Sequence, residues 1–160
     1  MIDGGAPDHG TSGSCFSPTY PGQEAVFGAG IVNESDGDIT ITDVSVLAQN
    51  TVHISEIALA GPGDDDLGWG VSIADDIWPT MRDAWESRID PIGATVAPGE
   101  RVWILIVART AGTLDQRTGM RGVRVEYDGA LWPRSTQNDN VYGFGPFGSE
   151  CDAGMEPRSH

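Results

Sequence analysis

The run Val102-Trp103-Ile104-Leu105-Ile106-Val107-Ala108 constrains this chain more than any other feature. It is too short to cross a bilayer as a helix, which takes about 20 apolar residues, and it keeps no polar face for water. Such a segment is stable as a strand covered on both sides. The fold therefore needs a sheet with this strand inside it and apolar material on each face. The turn Ala97-Pro98-Gly99-Glu100 feeds directly into it.

Other strand-length runs surround it. Residues 24–33 place Phe27, Ala29 and Ile31 on one face and stop in the polar turn Asn33-Glu34-Ser35-Asp36-Gly37-Asp38. Ile39-Thr40-Ile41-Thr42 alternates in one phase and Val44-Ser45-Val46 in the other, so the slip at Asp43 predicts a β-bulge or a change of sheet. Residues 51–60 carry Val52 and Ile54, then Ile57 and Leu59, again with a slip between them. Val123, Val125 and Tyr127 alternate with Arg124 and Glu126, and Asp128-Gly129 reads as a two-residue hairpin turn returning through Ala130, Leu131 and Trp132 until Pro133 ends the pairing or marks an edge. Residues 141–147 add a last short strand. Short strands punctuated by 22 Gly and 10 Pro predict an all-β, immunoglobulin-like antiparallel β-sandwich of about seven strands, with one long inserted loop carrying a short helix.

The pieces "EAVFGAGIVN", "ITITDVSVL", "VAPGERVWILIV" and "GVRVEYDG", in this order, resemble the strands of immunoglobulin-like β-sandwich ectodomains found in uncharacterised actinobacterial secreted or membrane-anchored proteins. The resemblance implies a secreted or membrane-tethered sandwich and brings no catalytic residues with it. Fold likeness of this kind does not supply a function.

With 9 Lys+Arg, all of them Arg, against 24 Asp+Glu, the net charge is −15. A field of that sign argues against nucleic acid and anionic membrane as partners and favours a basic one. Cys15 and Cys151 stand near opposite ends in polar surroundings. Free cysteines are usually buried, so the placement favours a disulfide over two unpaired thiols. Closing so long a loop is worth about 5 kcal/mol in the chain-entropy account, and it implies an oxidising compartment, outside the cell. Residues 1–14 have neither a basic n-region nor an apolar h-region. They are expected to be a flexible leader to a domain at 15–151, with a flexible tail at 152–160.

Residues 61–92 break the strand pattern and concentrate carboxylates and tryptophans. Thr80 reads as a helix N-cap with Asp83 at N3, and Met81, Ala84, Trp85 and Ile89 recur at helical spacing, predicting a helix over 80–89. Its apolar face is expected to cover one open end of the sandwich, with Arg82 and Glu86 as a surface pair. Trp69, Asp75, Asp76, Trp78 and Trp85 form the candidate interaction surface, because a sugar stacks on indole while carboxylates accept from its hydroxyls. The plainer reading makes Trp78 and Trp85 a lid on the core and leaves Trp69, between Gly68 and Gly70, as the exposed ring. Asp64, Asp65 and Asp66, and the turn at 33–38, offer the hard oxygen ligands that calcium prefers, without matching an EF-hand loop.

Catalytic motifs are missing: there is no HExxH, GxSxG or Walker A sequence. His9, His53 and His160 are scattered, and His53 alternates with Val52 and Ile54 toward solvent. The sequence therefore points to a non-catalytic module, extracellular or membrane-anchored, that binds protein or glycan, with a calcium-stabilised ectodomain as the alternative and a carbohydrate enzyme behind it.

Overall fold

A computed structural model describes residues 2–3, 13–62, 68–110, 118–129 and 133–145. Two sheets pack face to face as a β-sandwich. The first runs in the order β1 (Ile2–Asp3), β3 (Ala25–Val32), β8 (Arg101–Thr110), β5 (Val52–Ala60), with β6 (Val71–Ile73) beside β3. The second runs β2 (Gly13–Phe16), β11 (Val141–Phe144), β9 (Thr118–Asp128), β4 (Ile39–Asn50), β7 (Thr95–Val96), with β10 (Pro133–Gln137) beside β9. No described helix is long and apolar enough to cross a membrane.

The two-faced run becomes β8, held between β3 and β5. Its even-numbered residues Val102, Ile104, Ile106 and Ala108 enter the core between the sheets. Leu105 and Val107 face the other way into a second hydrophobic cluster, on the outside of the same sheet. Trp103 joins that outer side but is only partly buried, short of the full burial its central strand suggests. The inner core is filled by four rings from three strands. Phe27 meets Tyr142 and Phe144 edge to face at 5.6 and 5.4 Å, and Phe16 meets Phe144 at 6.0 Å. Burial pushes the Tyr142 hydroxyl above the usual tyrosine range, and the amides of Asn138 and Asn140, donating to it, partly offset this.

Both slips in alternation are bulges. β4 shifts register against β9 between Ile41 and Asp43, and β5 shifts against β8 between Ile54 and Glu56. β4 then hands over to β5 in the other sheet through Thr51, at φ 43°. The turn at 33–38 is organised by Asn33. Its Nδ2 donates to the Gly37 and Val96 carbonyls at 2.8 and 2.9 Å, while its Oδ1 accepts from the Ser35 amide and hydroxyl. Those bonds let a side chain only 2% exposed stay satisfied.

Three expectations are corrected. The late hairpin is not a two-residue turn, because Asp128 pairs with Pro133; of the two readings of Pro133, the edge holds, since it opens β10, which pairs with β9 alone among the described residues. A proline is tolerated as the first residue of an edge strand, where its missing N–H is not needed. The pairing is not wholly antiparallel, since β2 and β11 run parallel, with Cys15 opposite Gly143. The helix is shorter than 80–89. A 3-10 turn at Pro79–Met81 precedes α1 (Arg82–Glu86), Met81 takes the N-cap place without a side-chain cap bond, and Ile89 lies beyond the helix. Residues 1–14 contribute Ile2–Asp3 to β1 and Gly13 and Ser14 to β2.

Candidate functional site

Of residues 61–92, the described part from Trp69 to Trp85 does not close an end of the sandwich; its buried side chains lie on the outer face of the β3, β8, β5 sheet. Trp69, Ile77 and Met81 are buried there against Val26, Ala58, Ala60, Leu105 and Val107, with Ala84 and Trp85 alongside. Two glycines permit the approach. A Cβ on Gly28 would stand 2.3 Å from the Trp69 Cβ, and one on Gly68 would stand 2.8 Å from the Trp103 ring. The Trp69 Nε1 donates to the Gly61 carbonyl at 3.1 Å, which removes the cost of burying an indole N–H. The Trp103 Nε1 is buried without a partner among the described residues.

Trp85 leans on Trp69 with ring centroids 6.3 Å apart, and the Arg88 guanidinium stacks over its outer face at 3.8 Å. Arg88 also ion-pairs with Glu56 of β5 and donates to the Trp85 carbonyl. Ile89 exchanges backbone hydrogen bonds with Leu59 at 2.8 and 2.9 Å, so the segment ends as a one-residue addition to the edge of β5. Arg88 thus ties this segment to β5 of the sheet.

The tryptophans exchange the parts their sequence context suggests. Trp69, expected to be the exposed ring, is 4% exposed; Trp78, a candidate lid, is 66% exposed. The flanking glycines of Trp69 serve close packing instead of presentation. Trp78 sits between Ile77 and the 3-10 turn, and with Ile77 and Met81 both anchored in the outer cluster its own ring is left outside.

Asp75 and Asp76 are exposed in the turn after β6, a few residues before Trp78. Asp75 Oδ2 accepts from the Tyr20 hydroxyl at 2.7 Å. That hydrogen bond, more than the slight desolvation or the nearby charges of Asp75 and Glu24, raises the Tyr20 hydroxyl above the usual tyrosine range. The Ala74 amide donates to the Glu24 carbonyl at 3.0 Å, fixing the turn to the strand that follows Tyr20. Tyr20 and Asp75 thus meet at the surface, with Asp76 next in the same turn and the exposed Trp78 two residues beyond it in the chain. Sequence reading missed Tyr20; its place directly before the Pro21-Gly22 turn is the signal, because connecting segments run over the surface.

Asp64, Asp65 and Asp66 lie outside the described residues, as does Cys151. Cys15 is not a free thiol. In the second acidic turn, Asn33 and Ser35 spend their side-chain oxygens on hydrogen bonds within the turn, while the carboxylates of Glu34, Asp36 and Asp38 are exposed. Among the described residues no three His, Cys, Asp or Glu side chains gather as metal ligands. A groove of about 520 Å³ opens beside this turn, floored by Ile31, Ile39 and Tyr127. His53 is exposed on β5.

No family model matches the chain, and no curated protein does. Among solved structures it is similar to the ASH / PapD-like domain of human CEP192 (PapD-like domain 7). The identity is 13% over 94% of this chain and 86% of that one, with a TM-score of 0.46. A likeness at that level carries no weight for function; the sandwich stands on its own strand pairing.

Proposed function

We propose that the protein is a non-catalytic β-sandwich interaction module whose recognition surface is the patch of Trp78, Tyr20, Asp75 and Asp76. The observation that carries this reading is the exposure of Trp78. A 66% exposed indole, the most exposed large apolar side chain among the described residues, is held out while its neighbours Ile77 and Met81 are buried in the outer cluster. An aromatic face beside acceptor carboxylates suits a sugar ring or an arginine-bearing protein loop, and the net charge of −15 favours the approach of a basic partner.

The domain's setting is proposed as extracellular or membrane-anchored, with Cys15 bridged to Cys151. Two cysteines near opposite ends of the chain support this, together with the pairing of Cys15's strand to β11, which precedes Cys151. Thiol titration of the unfolded, unreduced protein should detect no free thiol, whereas two titrating thiols would remove the bridge.

The test of the surface is a titration of wild type and Trp78→Ala with neutral oligosaccharides and with an arginine-rich peptide, followed by indole fluorescence and calorimetry. Saturable binding to one probe that Trp78→Ala abolishes supports the reading. Binding that survives Trp78→Ala, or none to either probe, overturns this patch as the recognition surface.

A further inference from the structure

Among the described residues the sandwich has several free strand edges, and all but one are guarded. β1, β2, β6 and β7 are two to four residues long. β10 opens with Pro133 and carries Arg134. β5 is bulged, bears His53 and Glu56, and is blocked at Leu59 by Ile89. β4 differs. Its outer edge is covered by β7 only at Ile39 and Thr40 and by the Ala94 and Gly93 backbone at Ile41. From Asp43 to Asn50 nothing among the described residues pairs with that side. Residues 44–50 hold no charge, proline or glycine. An edge this long and neutral, with free backbone donors and acceptors, is a template for another strand.

We propose that this edge binds a second copy of the chain, β4 to β4, antiparallel about a two-fold axis. Self-pairing is what its residues fit. Centred on Val46, it sets Val44 opposite Ala48, Ser45 opposite Leu47, and Asp43 opposite Gln49 of the second copy, so the strand's one carboxylate meets an amide. Val44 and Val46 already pack against the inner core, so joining two such edges makes that core continuous between copies. Leu47, 43% exposed on the outer face, gains cover. In a molecule of net charge −15, a neutral stripe lets two copies meet without like charges opposed, and it offers a basic strand little to pair with.

Sedimentation of the full chain from micromolar to millimolar concentration should show a monomer–dimer equilibrium. Ser45→Lys with Leu47→Lys sets lysine opposite lysine twice across the axis and should weaken the dimer about tenfold or more, even though it lowers the repulsive net charge. Ser45→Glu with Leu47→Lys sets opposite charges in the same places and should restore it. Neither side chain lies in the core, and melting curves check that both variants fold. A wild-type monomer at every concentration overturns the proposal, as does a dimer indifferent to both pairs of substitutions. Open-ended oligomers overturn the two-fold arrangement.

Discussion

The molecule has two hydrophobic layers, one on each face of the β3, β8, β5 sheet, and they are built differently. The inner layer draws alternating side chains from both sheets and fills its centre with the rings of Phe16, Phe27, Tyr142 and Phe144. The outer layer sets the small and medium side chains of one sheet face, such as Val26, Ala58 and Val107, against bulk supplied by a segment with little regular structure. Hydrogen-bonded ladders hold the inner layer on both sides. The outer one rests on a few anchors: Trp69, Ile77, Met81, the Arg88 to Glu56 pair and the Leu59 to Ile89 bridge. The outer layer thus depends on the inner one, and the reverse dependence is weak. Segments with few anchors open at lower free energy than the sheet beneath them.

Substitutions graded in size break or sharpen this asymmetry. Phe27→Ala, at the centre of the inner layer, should cost about 3–5 kcal/mol. Denaturant curves followed by indole fluorescence and by far-UV dichroism should coincide, because losing the sheet loses both layers. Gly28→Ala should cost about 1–3 kcal/mol through the forced displacement of Trp69. Here hydrogen exchange should quicken over residues 69–89 while β8 stays protected; equal quickening in β8 would show the layers to be one cooperative unit. Glu56→Gln removes the partner of a partly exposed arginine and should change stability by about 1 kcal/mol or less. A larger loss would make that ion pair a principal anchor. Trp78→Ala should change stability least, within about 0.5 kcal/mol, because its exposed ring belongs to neither buried cluster.

The inner layer was legible in the sequence because it obeys a period of two. Phe27, Ala29 and Ile31, the alternation of β9, and both bulges follow from where that period holds and slips. The two-faced run of β8 even required an outer layer to exist. What would form it was harder to read, since coverage by an irregular segment leaves no period. Local context misassigned Trp69 and Trp78: glycines beside a tryptophan can mean exposure or close packing, and only the facing Gly28 and the anchoring of Ile77 and Met81 separate the two. Helical spacing at Met81, Ala84, Trp85 and Ile89 overstated α1, because Ile89 is drawn off by Leu59 into sheet pairing. Tyr20 joins the patch through a contact across 55 residues, a distance no local pattern spans.

The parallel neighbours β2 and β11 give the molecule a mechanical character. Tension on the chain before β2 and after β11 pulls two adjacent parallel strands in opposite directions, so their four paired positions, Gly13 to Phe16 against Val141 to Phe144, shear together instead of peeling one at a time. A bond from Cys15 to the chain beyond β11 would carry the load past those strands. The force this domain withstands would then be set by the redox state of its surroundings, and pulling single molecules with and without reductant would read the difference.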